Sequence, residues 1–420
     1  MTKKIKHIPN LRFPEFKNSG EWELKALSKI TSSIFDGTHQ TPQYVDKGVP
    51  FFSVENLVSN AKNRFISRDD YNIATAKNKP EKGDILLTRI GNIGFSSIVS
   101  WDYDFSIYVT LACIKSSSSF NSYFLHSFFQ TNWYQKEITS KSLLTAVPCK
   151  INMRELKSTK VLLPPSPLSI KEQSKIAECL SSLDNYINAT QEKIDLLQAH
   201  KKGLMQQLLP ALGKTIPQLR MPKFEQSKKW NPYSMKEMFE IKNGYTPSKS
   251  NPKFWENGTI PWFRMEDIRE HGHILSDSIQ HITKEAVKGK GLFPANSIIV
   301  ATTATIGEHA LIIVDSLANQ QFTFLTKRKS FDTQINMKYF YYYMYIIDEW
   351  CKQHTNGGGF ASIDMNGFKR LSVSLPSPEE QKEIAECFTS IDDLIDSTKQ
   401  KLVMLQNHKR GLMQQLFPTV

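Results

Sequence analysis

Between Gln173 and Pro210 the apolar positions Ile176, Leu180, Leu183 and Ile187 follow one another in steps of four, three and four, and the spacing continues through Thr190, Ile194, Leu197, Lys201, Leu204 and Leu208. The same spacing returns from Gln381 to Pro418 at Ile384, Phe388, Ile391, Ile395, Thr398, Leu402, Leu405, Lys409, Leu412 and Leu416, every matched pair lying 208 residues apart. Alternating steps of four and three form an a/d heptad seam, so each stretch predicts a long amphipathic helix that needs a partner along its length. The simplest partner for each is the other. About 37 residues at 1.5 Å each gives a rod of roughly 55 Å. Parallel, in-register pairing would set Lys201 against Lys409, whereas antiparallel pairing lets each lysine lay its stem over the other helix. The spacing therefore predicts an antiparallel pair.

The repeat extends beyond the helices. Leu11, Arg12, Pro14, Phe16 and Trp22 return as Leu219, Arg220, Pro222, Phe224 and Trp230 at the same offset, so the unit is a globular domain followed by a long helix, used twice. GVPFFSVENL (Gly48 to Leu57) and GDILLTRIGNIG (Gly83 to Gly94) read as short buried strands bounded by turns, and TIPWFRMEDI (Thr259 to Ile268) and NSIIVATTATIG (Asn296 to Gly307) answer them in the second half. Aromatic segments at Ser122 to Ile138 and Met337 to Trp350 suit helices flanking a sheet. Proline-rich hinges at Leu162 to Gln173 and Ser374 to Gln381 mark where the long helices begin.

Composition changes the picture in one direction. Of 420 residues, 22% are charged and the formal net charge is +12, which points to a polyanionic partner, nucleic acid first. The five cysteines include no CxxC pair and leave an odd count, which fits reduced thiols in the cytoplasm. The start MTKKIKHIPN lacks the apolar run of a secretory leader, and no 18-residue apolar stretch is present. Neither GxGxxG after a strand nor a GxxxxGK[ST] loop occurs; HExxH, GxSxG and the common methyltransferase and nuclease signatures are also missing. The expectation is a chain without catalytic or metal-binding residues of its own.

Two polar, glycine-bearing loops occupy equivalent places after the tryptophans: FDGTHQTP (Phe35 to Pro42) and KNGYTPSKS (Lys242 to Ser250). Their hydroxyls, His39, Lys249 and backbone amides suit phosphate positioning or base-edge contact. Arg89 and Arg264 have the chemistry for a bidentate guanine contact. The same residue types also suit plain surface turns, and composition alone does not separate the two.

The ordered combination of LRFPEF, DGTHQTP, GDILLTRIGNIG, a PPSP hinge, EQSKIAECLSSLD and KKGLMQQLLP, used twice, resembles the specificity subunit of type I restriction-modification enzymes over essentially the whole chain. The resemblance implies an α+β fold with two α/β target recognition domains, each followed by a long helix, the helices pairing as an antiparallel coiled coil with pseudo-twofold symmetry. It divides the chain into recognition domains 1–163 and 213–374 and spacer helices 164–212 and 375–420. Each domain would read one half of a split asymmetric sequence in double-stranded DNA. Two modification (methyltransferase) subunits would dock on the helices, and restriction subunits would join the full complex; S-adenosylmethionine, ATP and magnesium belong to those partners. The candidate DNA contacts are Thr38, His39, Thr41 and Arg89 in the first domain and Tyr245, Thr246, Ser248, Lys249, Arg264 and Thr302 in the second. The alternative architecture-based reading is a scaffold that holds protein partners without binding DNA.

Overall fold

The computed structural model describes residues 6–59, 64–289, 291–356 and 361–418; residues 1–5, part of the basic start, lie outside them. The chain folds as α+β and divides into two compact units, 1–191 with 400–420, and 192–399. Each unit contains part of each long helix, because the helices Ser169–Leu208 and Pro378–Leu416 both pass from one unit into the other.

In the first unit, an antiparallel sheet runs in the order Ile34–Asp36, Leu111–Ile114, Ile85–Thr88, Ser96–Ile98. A second sheet is ordered Tyr44–Val45, Arg64–Ile66, Val49–Phe52, Ser106–Ile107, its last pair parallel. In the second unit, a five-stranded sheet (Phe239–Asn243, Phe322–Lys327, Ser297–Ala301, His309–Ile312, Ile274–Leu275) accompanies a three-stranded one (His281–Ile282, Ile260–Phe263, Leu317–Ala318). The four runs read as short strands are strand at Val49–Phe52, Ile85–Thr88, Ile260–Phe263 and Ser297–Ala301. Ser53 and Asn56 form a capping box that starts the helix Val54–Val58, and Asp267 caps the backbone at Arg264 to start Met265–His271. In these two runs the polar residues after the apolar stretch satisfy a helix-terminal amide and end the strand.

Antiparallel pairing of the long helices is read inside each unit. In the first, Lys409 pairs with Asp184 at 2.6 Å and Lys401 lies 4.8 Å from the Tyr186 ring, while Leu416 and Phe417 share a core with Ile176 and Leu180. In the second, Lys201 pairs with Asp392 at 2.7 Å, and Met205 and Leu208 share a core with Ile384 and Phe388. Numbers rise along one helix as they fall along the other. The seam lysines find carboxylates on the opposing helix, and the two ion pairs are the same pair 208 residues apart.

The joint between helix and domain also repeats. Arg12 grips Glu172 with two 2.7 Å bonds, and Arg220 grips Glu380 likewise. The next residue closes the joint: Gln173 accepts from the Asn121 amide and Gln381 from the Asn336 amide, both at 2.9 Å. Leu11 N donates to Gln415 O and Leu219 N to Gln207 O, each at 2.9 Å, so each domain's entry segment is tied to the C-terminal end of a long helix within its unit. Bidentate arginine–carboxylate geometry fixes orientation as well as energy. Each long helix is thereby held rigidly to the domain it leaves.

Candidate nucleic-acid interface

A glycine sets each candidate loop against a neighbouring turn. The turn follows the strand that pairs in parallel in the second sheet of each domain, Ser106–Ile107 in one and Leu317–Ala318 in the other. A Cβ at Gly37 would collide with the Ile107 carbonyl, and one at Gly244 with the Ala318 carbonyl. Only glycine permits this approach. It brings the loop after Gly37 beside Tyr108–Thr110 and the loop after Gly244 beside Asn319–Gln321.

In the first domain Thr38 bridges to Tyr108, Val109 N donates to Thr38 O at 3.0 Å, and Thr41 Oγ1 lies 3.1 Å from the Tyr108 hydroxyl. His39 is exposed, 3.0 Å from Asp36. A cleft beside the loop is lined by Asp36, Thr38, Lys77, Asn78 and Ser106. Thr38, His39 and Thr41 are thus brought together on one surface.

Arg89 directly follows the strand Ile85–Thr88 and is buried. Its side chain is only 8% exposed; Nη1 donates to Asp36 at 3.0 Å and to the Val109 carbonyl at 2.9 Å. Burial pushes its pKa down while Asp36 opposes that shift. The guanidinium ties strand Ile85–Thr88 to the loop and turn, so it is not presented for a base edge. A buried strand end leaves no outward path for the side chain, and periodicity alone did not reveal which end of the strand would be covered.

In the second domain Tyr245, Thr246, Ser248 and Lys249 share one surface. The Tyr245 hydroxyl donates to Ala286 O at 3.2 Å and accepts from Lys288 N at 2.6 Å. Thr246 donates to Gln320 Oε1 at 2.5 Å, Ser248 and Ser250 hydroxyls lie 2.8 Å apart, and Lys249 is exposed. Arg264 stacks its guanidinium 5.8 Å from the Trp262 ring centre, with Trp262 Nε1 donating to Tyr245 O at 3.1 Å; the arginine is half-buried at the edge of the cluster. Thr302 is buried and donates to Gln321 O at 3.2 Å, so its hydroxyl braces the turn from beneath.

Sequence reasoning passed over the turn residues Tyr108, Asn319, Gln320 and Gln321. The available signal was the run of side-chain amides in ANQQF directly after a short buried strand. Among the described residues no group of three or more His, Cys, Asp or Glu side chains could hold a metal, and no helix is long and apolar enough to cross a membrane.

A family model described as the type I restriction modification DNA specificity domain matches twice, at residues 20–199 and 227–407. The chain is 47% identical over 167 residues to the type I restriction enzyme EcoprrI specificity subunit of Escherichia coli, covering 40% of this chain and 41% of that protein. It is 29% identical over 184 residues to the MjaIX specificity subunit of Methanocaldococcus jannaschii, covering 43% and 41%. Both matches thus take in about two fifths of the relative's own length. The crystal structure of a type I restriction-modification system S subunit from M. genitalium has the same fold, with a TM-score of 0.57 at 15% identity over 98% of this chain and 99% of that one.

Proposed function

We propose a function that proceeds from one fact: this chain belongs to the type I restriction-modification DNA specificity family. Its two recognition domains, 1–163 and 213–374, each read one half of a split sequence in double-stranded DNA. The helices 164–212 and 375–420 set the unspecified gap between the halves. Roughly 55 Å of helix corresponds to about 16 base pairs at 3.4 Å per step, an upper bound on that separation. The chain supplies recognition; the modification subunits that dock on it supply adenine N6 methylation with S-adenosylmethionine, and restriction subunits supply ATP- and magnesium-dependent work on DNA. The reading also carries a cytoplasmic location.

One observation supports this most. The ion pairs and joints repeat at a constant offset, whereas the loop and turn side chains do not. A repeated frame recruits the same partner twice, and unlike loops read unlike sequences. The shared flank of the helix pair adds a docking face: Tyr186 and Met404 are exposed in the first unit, and their repeat counterparts Leu394 and Leu196 in the second. Exposed apolar side chains at matched positions suit two copies of one modification subunit. Base contacts come from Thr38, His39 and Thr41 and from Tyr245, Ser248 and Lys249, with surrounding lysines on phosphates and Thr246 held to the neighbouring turn. Arg89, Arg264 and Thr302 act by positioning these loops.

The test is to co-express the chain with its modification subunit in a host lacking DNA methylation and to map N6-methyladenine. The expected result is one split motif with a fixed gap. Replacing residues 1–163 by another recognition domain changes one half-site only; a change in both halves would refute the modular reading.

A further inference from the structure

The turns beside the two loops share a backbone and differ in their heads. Leu111 N donates to Tyr108 O at 2.9 Å, and Phe322 N to Asn319 O at 3.2 Å. Arg89 N donates to Thr110 O and Thr302 N to Gln321 O, both at 2.9 Å. Tyr108, Val109 and Thr110 therefore hold the places that Asn319, Gln320 and Gln321 hold in the second domain. The first domain presents a phenol, an isopropyl group and a hydroxyl there; the second presents three primary amides.

Two of those amides are occupied with the turn itself. Asn319 Nδ2 donates to Gln321 Oε1 and Gln321 N donates to Asn319 Oδ1, each at 3.1 Å, and both residues are half-buried. Gln320 is exposed. Its Oε1 accepts the Thr246 hydroxyl, which fixes the orientation of the amide, and among the described residues its Nε2 has no hydrogen-bond partner. The oxygen keeps a second lone pair, so a donor and an acceptor stand side by side on a braced support. Exposed Lys249 and Lys288 flank the site, the latter with its ammonium 6.0 Å from the Tyr245 ring centre.

Resting on the proposed function, we infer that Gln320 is a specificity-determining residue of the second domain and that it reads an adenine in that half-site. Adenine shows N7, an acceptor, beside N6–H, a donor, in the major groove, and a glutamine amide matches both at once. Guanine offers two acceptors there, and the other bases lack the adjacent pair. Thr246 is the positioning residue: by holding the amide it removes rotamer freedom that binding would otherwise have to remove. Val109 at the corresponding place in the first domain cannot make this contact. The two domains therefore read different bases through one turn.

The experiment compares the full-length wild-type chain with Gln320→Ala and Gln320→Glu, each co-expressed with the modification subunit in a methylation-free host, with N6-methyladenine motifs as the readout. With Gln320→Ala, one position of the second half-site should become degenerate, discrimination there falling roughly 5- to 150-fold. With Gln320→Glu, preference at that position should move toward cytosine, whose N4 amino group a carboxylate accepts. The first half-site and the gap should stay as in wild type. A split motif left unchanged by both variants, or degeneracy appearing in the first half-site, would overturn the inference alone. Uniform loss of methylation by a variant that melts normally and still assembles would also overturn it. A wild-type chain that directs no split motif would overturn the functional reading and the inference together.

Discussion

Beside the recognition sheet, the aromatic helix is broken in one half of the chain and continuous in the other. Aligned on their N-caps Asn121 and Asn336, the first half has Ser122–Phe129 and Asn132–Ser140 separated by a Thr131 cap, while the second runs unbroken from Met337 to Gln353. His126 then falls where Tyr341 stands. Across from it, Ser96 Oγ meets His126 Nδ1 at 2.9 Å, whereas His309 on the matching strand packs against Tyr341 with ring centres 5.5 Å apart. The histidine has changed sides of the same contact. The helix joints, by contrast, repeat residue for residue. A core needs matched volume, which different pairs can supply; a bidentate joint needs particular atoms at fixed angles. The comparison separates what the frame must keep from what each domain can vary.

The largest effect should come from breaking a joint. Glu172 accepts from Arg12 and also from Trp22 Nε1 at 3.3 Å, while in the second unit Trp230 Nε1 is buried without a partner. Glu172→Ala should lower stability by about 3–5 kcal/mol, since it leaves a buried guanidinium unpaired. Glu380→Ala should cost less, because Arg220 is slightly more exposed and no indole shares the carboxylate. Urea midpoints of the two variants order them. Equal losses would mean that the indole contributes nothing to the joint.

Acid should find buried His309 and half-buried His126. Burial pushes His126 down to about 4, with Lys409 adding to the shift and Asp184 opposing it; burial also pushes His309 down to about 4, with the Gly307 carbonyl opposing and His273 and Lys352 adding. The Gln130 amide donates to His126 Nε2, so Nδ1 carries the proton toward Ser96. In each case the unfolded chain takes up a proton near its ordinary value of about 6.5 before the folded one does. Stability is therefore full above that value, falls as pH drops toward 4, and levels off below. The loss is on the order of 3 kcal/mol for each histidine. Melting temperatures from pH 7 to 4 for wild type, His126→Phe and His309→Phe should show each variant losing part of the slope.

A smaller effect should appear at the docking face. Tyr186→Asp and Leu394→Asp change exposed positions, so folded stability should move by about 0.5 kcal/mol or less. Each should weaken one modification-subunit contact by about 1–2 kcal/mol. Titration followed by native mass spectrometry should then find complexes carrying one modification subunit in place of two. Unchanged stoichiometry and affinity would move the docking face elsewhere.

Much of this arrangement was legible in the chain. The seam positions, the 208-residue offset and the lysine repulsion argument led to two long antiparallel helices, and the hinge prolines located their starts. The site was legible only in part. Loop composition singled out Thr38, His39, Thr41, Thr246, Ser248 and Lys249, but not the Gln320 that Thr246 holds, because the contact spans 74 residues and depends on the close approach at Gly244. The burial of Arg89 was hidden for a related reason: its carboxylate partner, Asp36, lies 53 residues away in sequence. Periodicity reports which face of an element is buried. It does not report which loop will cover the end of a strand.

The finest difference between the halves is a turn that glycine occupies once and alanine once. Gly91 adopts φ +83° after strand Ile85–Thr88, and Ala304 adopts φ 62° after Ser297–Ala301. Both turns are tied to a second segment: Gly91 N donates to Cys149 O at 2.8 Å, and Thr303 bridges to Ser362. Left-handed backbone costs an alanine through its Cβ and a glycine nothing. A Cβ at Gly91 would meet no atom within 4 Å, so Gly91→Ala isolates that backbone cost, expected at about 1 kcal/mol. Ala304→Gly should gain about 0.5 kcal/mol, the relieved strain exceeding glycine's greater freedom in the unfolded chain. Urea midpoints for the two single variants test the pair. A loss in both would mean that Ala304 makes a packing contribution larger than its strain, and that the second domain holds this turn by side-chain contact where the first holds it by backbone alone.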